Sequence, residues 1–244
     1  SSNIEFPKNF GIGFIILFFS LMFGTLLFLP FKIKKIHINK ENQSIREYFY
    51  KTFNIIKSHT NFQNYLVSRI FYSSCLPGMG LYAIYCQKKF NFELSEAGIF
   101  TVITVVCAAT SSYLAGKIGD KYGHKNGMLL AYFGHLFAAI IAICSWNMYG
   151  VYMIFIAIGV GQGAFMPSAM NLIYDFSSKN DAKTYMALVD SILAPFVLFY
   201  LLLIGWLIKD GNYIASLNIL IGSLLVGSLL LIYLVHDPKK ENLI

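Results

Sequence analysis

The sequence predicts an all-α, polytopic membrane protein with seven transmembrane helices. Three observations carry that reading. The 244-residue chain is 57% hydrophobic and only 13% charged, well below the roughly 25% charge of soluble domains. Its apolar residues gather in seven spans, 10–31, 65–87, 97–116, 127–145, 149–173, 185–208 and 213–235. Each is close to the roughly 20 residues a helix needs to cross a hydrocarbon core of about 30 Å. Arg69 and Asp190 are the only Lys, Arg, Asp or Glu residues inside those spans. An ionised side chain at the bilayer centre costs at least about 2.5–3.5 kcal/mol, which accounts for the exclusion. Backbone groups in lipid must be satisfied within their own segment, so every span is expected to be helical. Seven such stretches, joined by charged loops, argue against the buried core helices of a soluble protein.

The first span is too long for the apolar region of a signal peptide. It leads into a basic loop, not a small-residue cleavage site. The chain opens on Ser1, and upstream sequence is expected. In residues 32–64, Ile45, Tyr48, Phe49, Thr52, Phe53 and Ile56 share one helical face, and Ser44 with Glu47 fits a capping box. A basic amphipathic helix lying in the membrane interface is expected there, with Lys51 and Lys57 near lipid phosphates. A partner-binding helix is the alternative. The second span is interrupted by Pro77-Gly78-Met79-Gly80, where proline removes a backbone donor and the glycines loosen the helix. Ser95-Glu96-Ala97-Gly98 supplies a cap and an early acid for the third span. The fourth span carries His135. The fifth carries Gly159 and Gly163, a G-x-x-x-G pair suited to close helix packing, with Gly161, Gln162 and Asn171 beside it. The sixth holds Asp190 and Pro195, where a kink is expected. Ser223 and Gly227 are packing candidates in the seventh.

The loops alternate in charge. One set carries fourteen Lys/Arg residues and the other four. The positive-inside rule then places the C-terminus and the 32–64 loop in the cytoplasm, and the N-terminus outside. This sorting also explains the formal charge of +7 without a nucleic-acid partner. Cys75, Cys86, Cys107 and Cys144 all fall in spans and form no disulfide or metal-ligand pattern. They read as small apolar filler.

Between the third and fourth spans lies Gly116-Lys117-Ile118-Gly119-Asp120-Lys121-Tyr122-Gly123-His124-Lys125, a short basic loop punctuated by glycines with a single acid. Gly116 and Gly119 allow close helix contact, and Gly123 permits a tight turn. Asp120 suits the positive end of a neighbouring helix, while Lys121 and Lys125 can pair with acids or carbonyls. The run resembles the G-x-x-x-D-R-x-G-R-K signature of the major facilitator superfamily. Gly116, Asp120, Gly123 and Lys125 match, whereas Lys121 and His124 replace arginines. Asp175, Lys183, Thr184 and Tyr185 add a weaker likeness.

That resemblance implies two six-helix halves joined by a long cytoplasmic linker. Residues 1–31 would be the last helix of the first half, 32–64 the linker, and 65–244 the second half. The missing N-terminal helices of the same polypeptide would be a partner. The resemblance further implies that the glycine–Asp run gates the cytoplasmic side, and that a small solute crosses the membrane by alternating access.

Candidates for a solute or proton pathway are Asp190, His135, Gln162, Tyr72 and Tyr82. Intramembrane acids face cavities or partners, and histidine switches charge near neutral pH. Tyr72, Tyr82 and Tyr85 flank the interrupted second span, as do Ser73 and Ser74. Each candidate has a plainer reading: Asp190 as a capping or lysine-paired acid, His135 as a packing residue, and the Pro77 break as a kink. Arg69, near the end of its span, is expected to snorkel to lipid phosphate. The candidates are aromatic and amide-rich with few charges, which favours a neutral or amphipathic solute over a phosphorylated one.

No H-E-x-x-H, G-x-S-x-G or phosphate-binding glycine loop with its lysine occurs. An enzyme, a cofactor and direct ATP-driven transport are therefore not expected. The expected partners are the lipid bilayer and a small solute, and the expected place is the cell (plasma or inner) membrane, with proton coupling one option. The alternatives are a seven-helix receptor, opposed by the 33-residue first cytoplasmic loop, and a facilitator-like protein that does not transport.

Overall fold

The computed structural model describes residues 8–28, 56–92, 94–177 and 182–238. The chain divides into two units, Ser1–Ser44 and Ile45–Ile244. The first holds helix α1, Lys8–Phe28. The second holds α2 (Thr60–Tyr72), α3 (Cys75–Phe90), α4 (Leu94–Tyr122), α5 (His124–Cys144), α6 (Met148–Phe176), α7 (Ala182–Lys209) and α8 (Tyr213–Leu234). The described residues contain no strand. The expected interfacial helix, with Ser44 and Glu47, falls mostly outside the described residues.

Among the described residues, α4 to α8 are each long and apolar enough to cross a membrane. The second expected span is not one rod: α2 has 13 residues and α3 has 16.

The break between α2 and α3 falls at Ser73–Ser74, upstream of the Pro77–Gly80 run that the sequence singles out. Pro77 has no N–H to offer the Ser73 carbonyl four residues back, and its ring crowds that carbonyl. The N–H of Leu76 bonds the Ser73 carbonyl instead, at 3.4 Å, and Ser74 N–H bonds the Phe71 carbonyl, also at 3.4 Å. Both are tighter i-to-i+3 bonds. The two serine hydroxyls bond back to Ile70 O (2.6 Å) and Phe71 O (2.9 Å). Pro77 itself sits in the first turn of α3, where a missing donor is tolerated, and Gly78 and Gly80 are helical.

Helices α4 and α5 both lie along α6, and small residues permit it. A Cβ at Gly159 would stand 2.6 Å from Thr104 O, one at Gly163 would overlap the Ala108 backbone, and one at Gly134 would stand 2.5 Å from Gly161 N. Lipid tails are as apolar as leucine, so helices in a membrane gain from such close backbone approach and not from burial alone. Gly116 and Gly80, by contrast, have nothing within 4 Å of a built Cβ.

Helix α8 packs between α2 and α5 through a hydroxyl network. Ser68 Oγ donates to Gly227 O at 2.8 Å. Its single proton is then committed, so the Tyr132 hydroxyl, 2.8 Å away, donates to Ser68. By the same logic Ser223 Oγ donates to Phe71 O (2.8 Å) and accepts from Tyr200 (2.7 Å). Ser68→Ala would strand the buried Tyr132 hydroxyl and is expected to destabilise the protein by about 1–2 kcal/mol. Denaturant unfolding in detergent, compared with Tyr132→Phe/Ser68→Ala, checks it, because the double variant leaves no orphaned hydroxyl and recovers part of the loss.

Candidate functional site

The glycine–Asp run is not a loop. Helix α4 continues through Gly116, Gly119, Asp120 and Lys121 to Tyr122, and α5 starts at His124. The whole reversal is made by Gly123, at φ 97 and ψ 145, a backbone region that side chains with a Cβ rarely enter. Gly123 N–H bonds Gly119 O (3.0 Å), and the Asn126 side chain bonds Tyr122 O (2.8 Å). These satisfy carbonyls that the end of α4 would otherwise leave open.

This corner interlocks four helix ends. The Lys125 ammonium donates to Ile232 O (2.8 Å) and Val235 O (2.7 Å), capping the C-terminal end of α8, where a cation complements the helix dipole. In return the Asp237 carboxylate, just beyond α8, accepts from Lys125 N–H at the start of α5 (3.2 Å), the end that favours an anion. Gly123 leaves room for it: a Cβ there would overlap the Asp237 carboxylate. His124 Nδ1 donates to Asp175 Oδ2 at 2.6 Å, tying in the end of α6, and its Nε2 lies 3.8 Å from Asp120 Oδ1. Gly119 is equally tight, since a Cβ there would stand 2.5 Å from His124 Cδ2. Asp120 and Lys121 are exposed on the rim. Asp175 and Asp237 as partners were not singled out by sequence, because they are 51 and 112 residues from the groups they bond.

The second locus is a polar core beside the α2–α3 break. Tyr72, Tyr82 and His135 come together there. The Tyr72 and His135 ring centroids are 5.7 Å apart, and the Tyr82 hydroxyl donates to His135 O at 3.4 Å. His135 fits only because residue 161 is glycine, a Cβ there standing 2.7 Å from the ring. Gln162 is exposed on α6 and Asp190 is exposed on α7, so neither shares this core. Pro195 lies inside α7, and Pro167, which sequence reasoning passed over, lies inside α6.

Arg69 departs furthest from expectation. Its side chain is folded into the helix packing and is only 9% exposed. Its guanidinium carbon lies 4.4 Å from the Phe165 ring centroid, 5.6 Å from that of Tyr72 and 6.0 Å from that of Tyr65. Nε and Nη1 are buried with no well-formed hydrogen bond among the described residues, and His135 Nδ1 is likewise without a partner. Ring contacts of about 0.5–2 kcal/mol each offset only part of the several kcal/mol that an unpaired buried ion costs. The signal was present in the sequence: Tyr65, Arg69 and Tyr72 recur at helical spacing on one face.

The family model of the Major Facilitator Superfamily matches residues 65–244. The chain therefore belongs to that superfamily, and it is a transporter of the major facilitator type and a multi-pass membrane protein. None of the curated proteins compared matches the chain.

Proposed function

We propose that the protein moves a small solute across the plasma or inner membrane by alternating access, as a secondary active or facilitative carrier. The family match over 65–244 is the observation that supports this most directly. On this reading 1–31 is the last helix of a first half, 32–64 the cytoplasmic linker and 65–244 the second half, with the C-terminus cytoplasmic as the loop charges favour. The run Gly116, Gly119, Asp120, Lys121, Gly123 and Lys125 is the gate. Its reciprocal caps make the ends of α4, α5, α6 and α8 one rigid block, able to rock as a unit against the first half. Asp120, on the rim of that block, makes the latch.

Tyr72, His135 and Tyr82 form one polar station of the solute pathway. Gln162 on α6 and Asp190 on α7, both exposed outside that core, are separate points of the pathway, Asp190 as a proton or solute contact. Proteoliposomes containing the full-length protein, offered a radiolabelled panel of carboxylates, amino acids, sugars and nucleosides with and without a pH gradient, test this. Gradient-driven uptake is expected to fall about tenfold or more in Asp190→Asn while downhill exchange persists. Equal pH-dependent uptake by native protein and variant would remove Asp190 from coupling.

A further inference from the structure

Resting on the carrier reading above, we infer that Arg69 and its ring cage form the recognition site for a carboxylate, so that the solute is a small amphipathic acid with an apolar or aromatic body. The inference starts from an imbalance of charge. Arg69 is the one cation within the second expected span, is nine-tenths buried, and has no ion pair among the described residues. Nε and Nη1 are sealed, with no well-formed hydrogen bond among the described residues. A buried cation in a membrane protein needs a counter-charge in some state of the cycle.

The surroundings narrow the chemistry. Guanidinium presents a planar fork that matches a carboxylate in two hydrogen bonds. Phe165, Tyr72 and Tyr65 surround it with ring faces, and Tyr72 stacks on Phe165 at 4.9 Å between centroids. His135 Nδ1 is a further buried polar atom without a partner among the described residues, in the same cluster. One cation in an aromatic enclosure balances one negative charge, not the two of a phosphate monoester. Rings on several sides accept a flat or apolar body. The carboxylate can reach the cage on a free solute or on an acidic side chain of the first half, and the test separates these.

Full-length protein in nanodiscs is titrated with benzoate, with the neutral isostere benzamide and with inorganic phosphate, and its thermal midpoint is followed. Benzoate is expected to raise the midpoint saturably, while benzamide and phosphate leave it unchanged. Arg69→Gln is expected to abolish the benzoate shift, and Arg69→Lys, which keeps the charge and loses the fork, to weaken apparent affinity by about tenfold or more. Tyr72→Phe keeps the ring and is expected to weaken affinity by a smaller factor. If Arg69→Gln does not fold, Arg69→Lys decides. Benzoate and benzamide acting alike, phosphate acting where benzoate does not, or a benzoate response unchanged in Arg69→Lys would each overturn the assignment. So would a midpoint that falls in Arg69→Gln with no benzoate response in native protein, the pattern of a first-half acid as partner. Uptake of a non-acidic member of the panel would leave the carrier reading standing while this inference fell.

Discussion

Gly163→Leu is expected to prevent the full-length protein from reaching its folded state. The reason is the kind of atom the new side chain meets. A Cβ at 163 overlaps the Ala108 backbone itself, and a backbone cannot rotate out of the way as a long side chain can. Overpacking a core against mobile side chains costs about 1–3 kcal/mol. Here α4 must separate from α6 along its length, loosening the Gly159 contact with Thr104 and Cys107 as well. Ser111 would lose its 2.7 Å bond to Val160 O, and lipid offers no hydroxyl in exchange. Monodisperse yield after detergent extraction is the readout. Gly163→Leu should fall to background, while Gly80→Ala, where nothing lies within 4 Å, should match native protein. A native-like yield of Gly163→Leu would contradict the helix arrangement.

Gly123→Val should be the second most damaging change. It forces a β-branched residue to φ 97, a strain of about 1–3 kcal/mol. It also drives the Asp237 carboxylate from its place, removing a helix cap of about 1 kcal/mol. Displacing Asp237 moves the segment whose Val235 carbonyl receives Lys125, so both halves of the reciprocal cap fail together. A loss of about 2–4 kcal/mol is therefore expected, with transport per folded molecule reduced further because the block no longer moves as one. Asp237→Asn, which retains an acceptor for Lys125 N–H, should lose less. Unfolding in detergent and uptake measured on the same preparations separate the two effects. A Gly123→Val protein with native stability would refute the corner as described.

Much of the fold was legible because lipid imposes simple rules. Charges are excluded from spans, so most helix positions could be read directly from the sequence. The errors arose where a linear pattern had to stand for a three-dimensional one. Lys117, Asp120 and Lys121 looked like a loop because they are charged, yet a helix leaving the hydrocarbon carries charges while still coiled. Pro77 pointed to a defect, but the bond it removes belongs to Ser73, four residues earlier, so the helix breaks there. Arg69 lies close to one end of its span, which suggested lipid phosphate. Depth does not fix direction around a helix axis, and the ring-bearing face of Tyr65 and Tyr72 turns it inward. The partners of His124 and Lys125 come from α6 and from the segment after α8, and no local spacing announces them.

A carrier working by alternating access exposes its solute site to one side of the membrane at a time. Trans-acceleration in proteoliposomes tests this most directly. Full-length protein is offered each member of the labelled panel, with the same unlabelled solute either inside or absent. Saturable uptake of at least one solute is expected, speeding up when that solute waits on the far side. Flux that rises in proportion to concentration and ignores the far side would describe a pore, and would contradict alternating access.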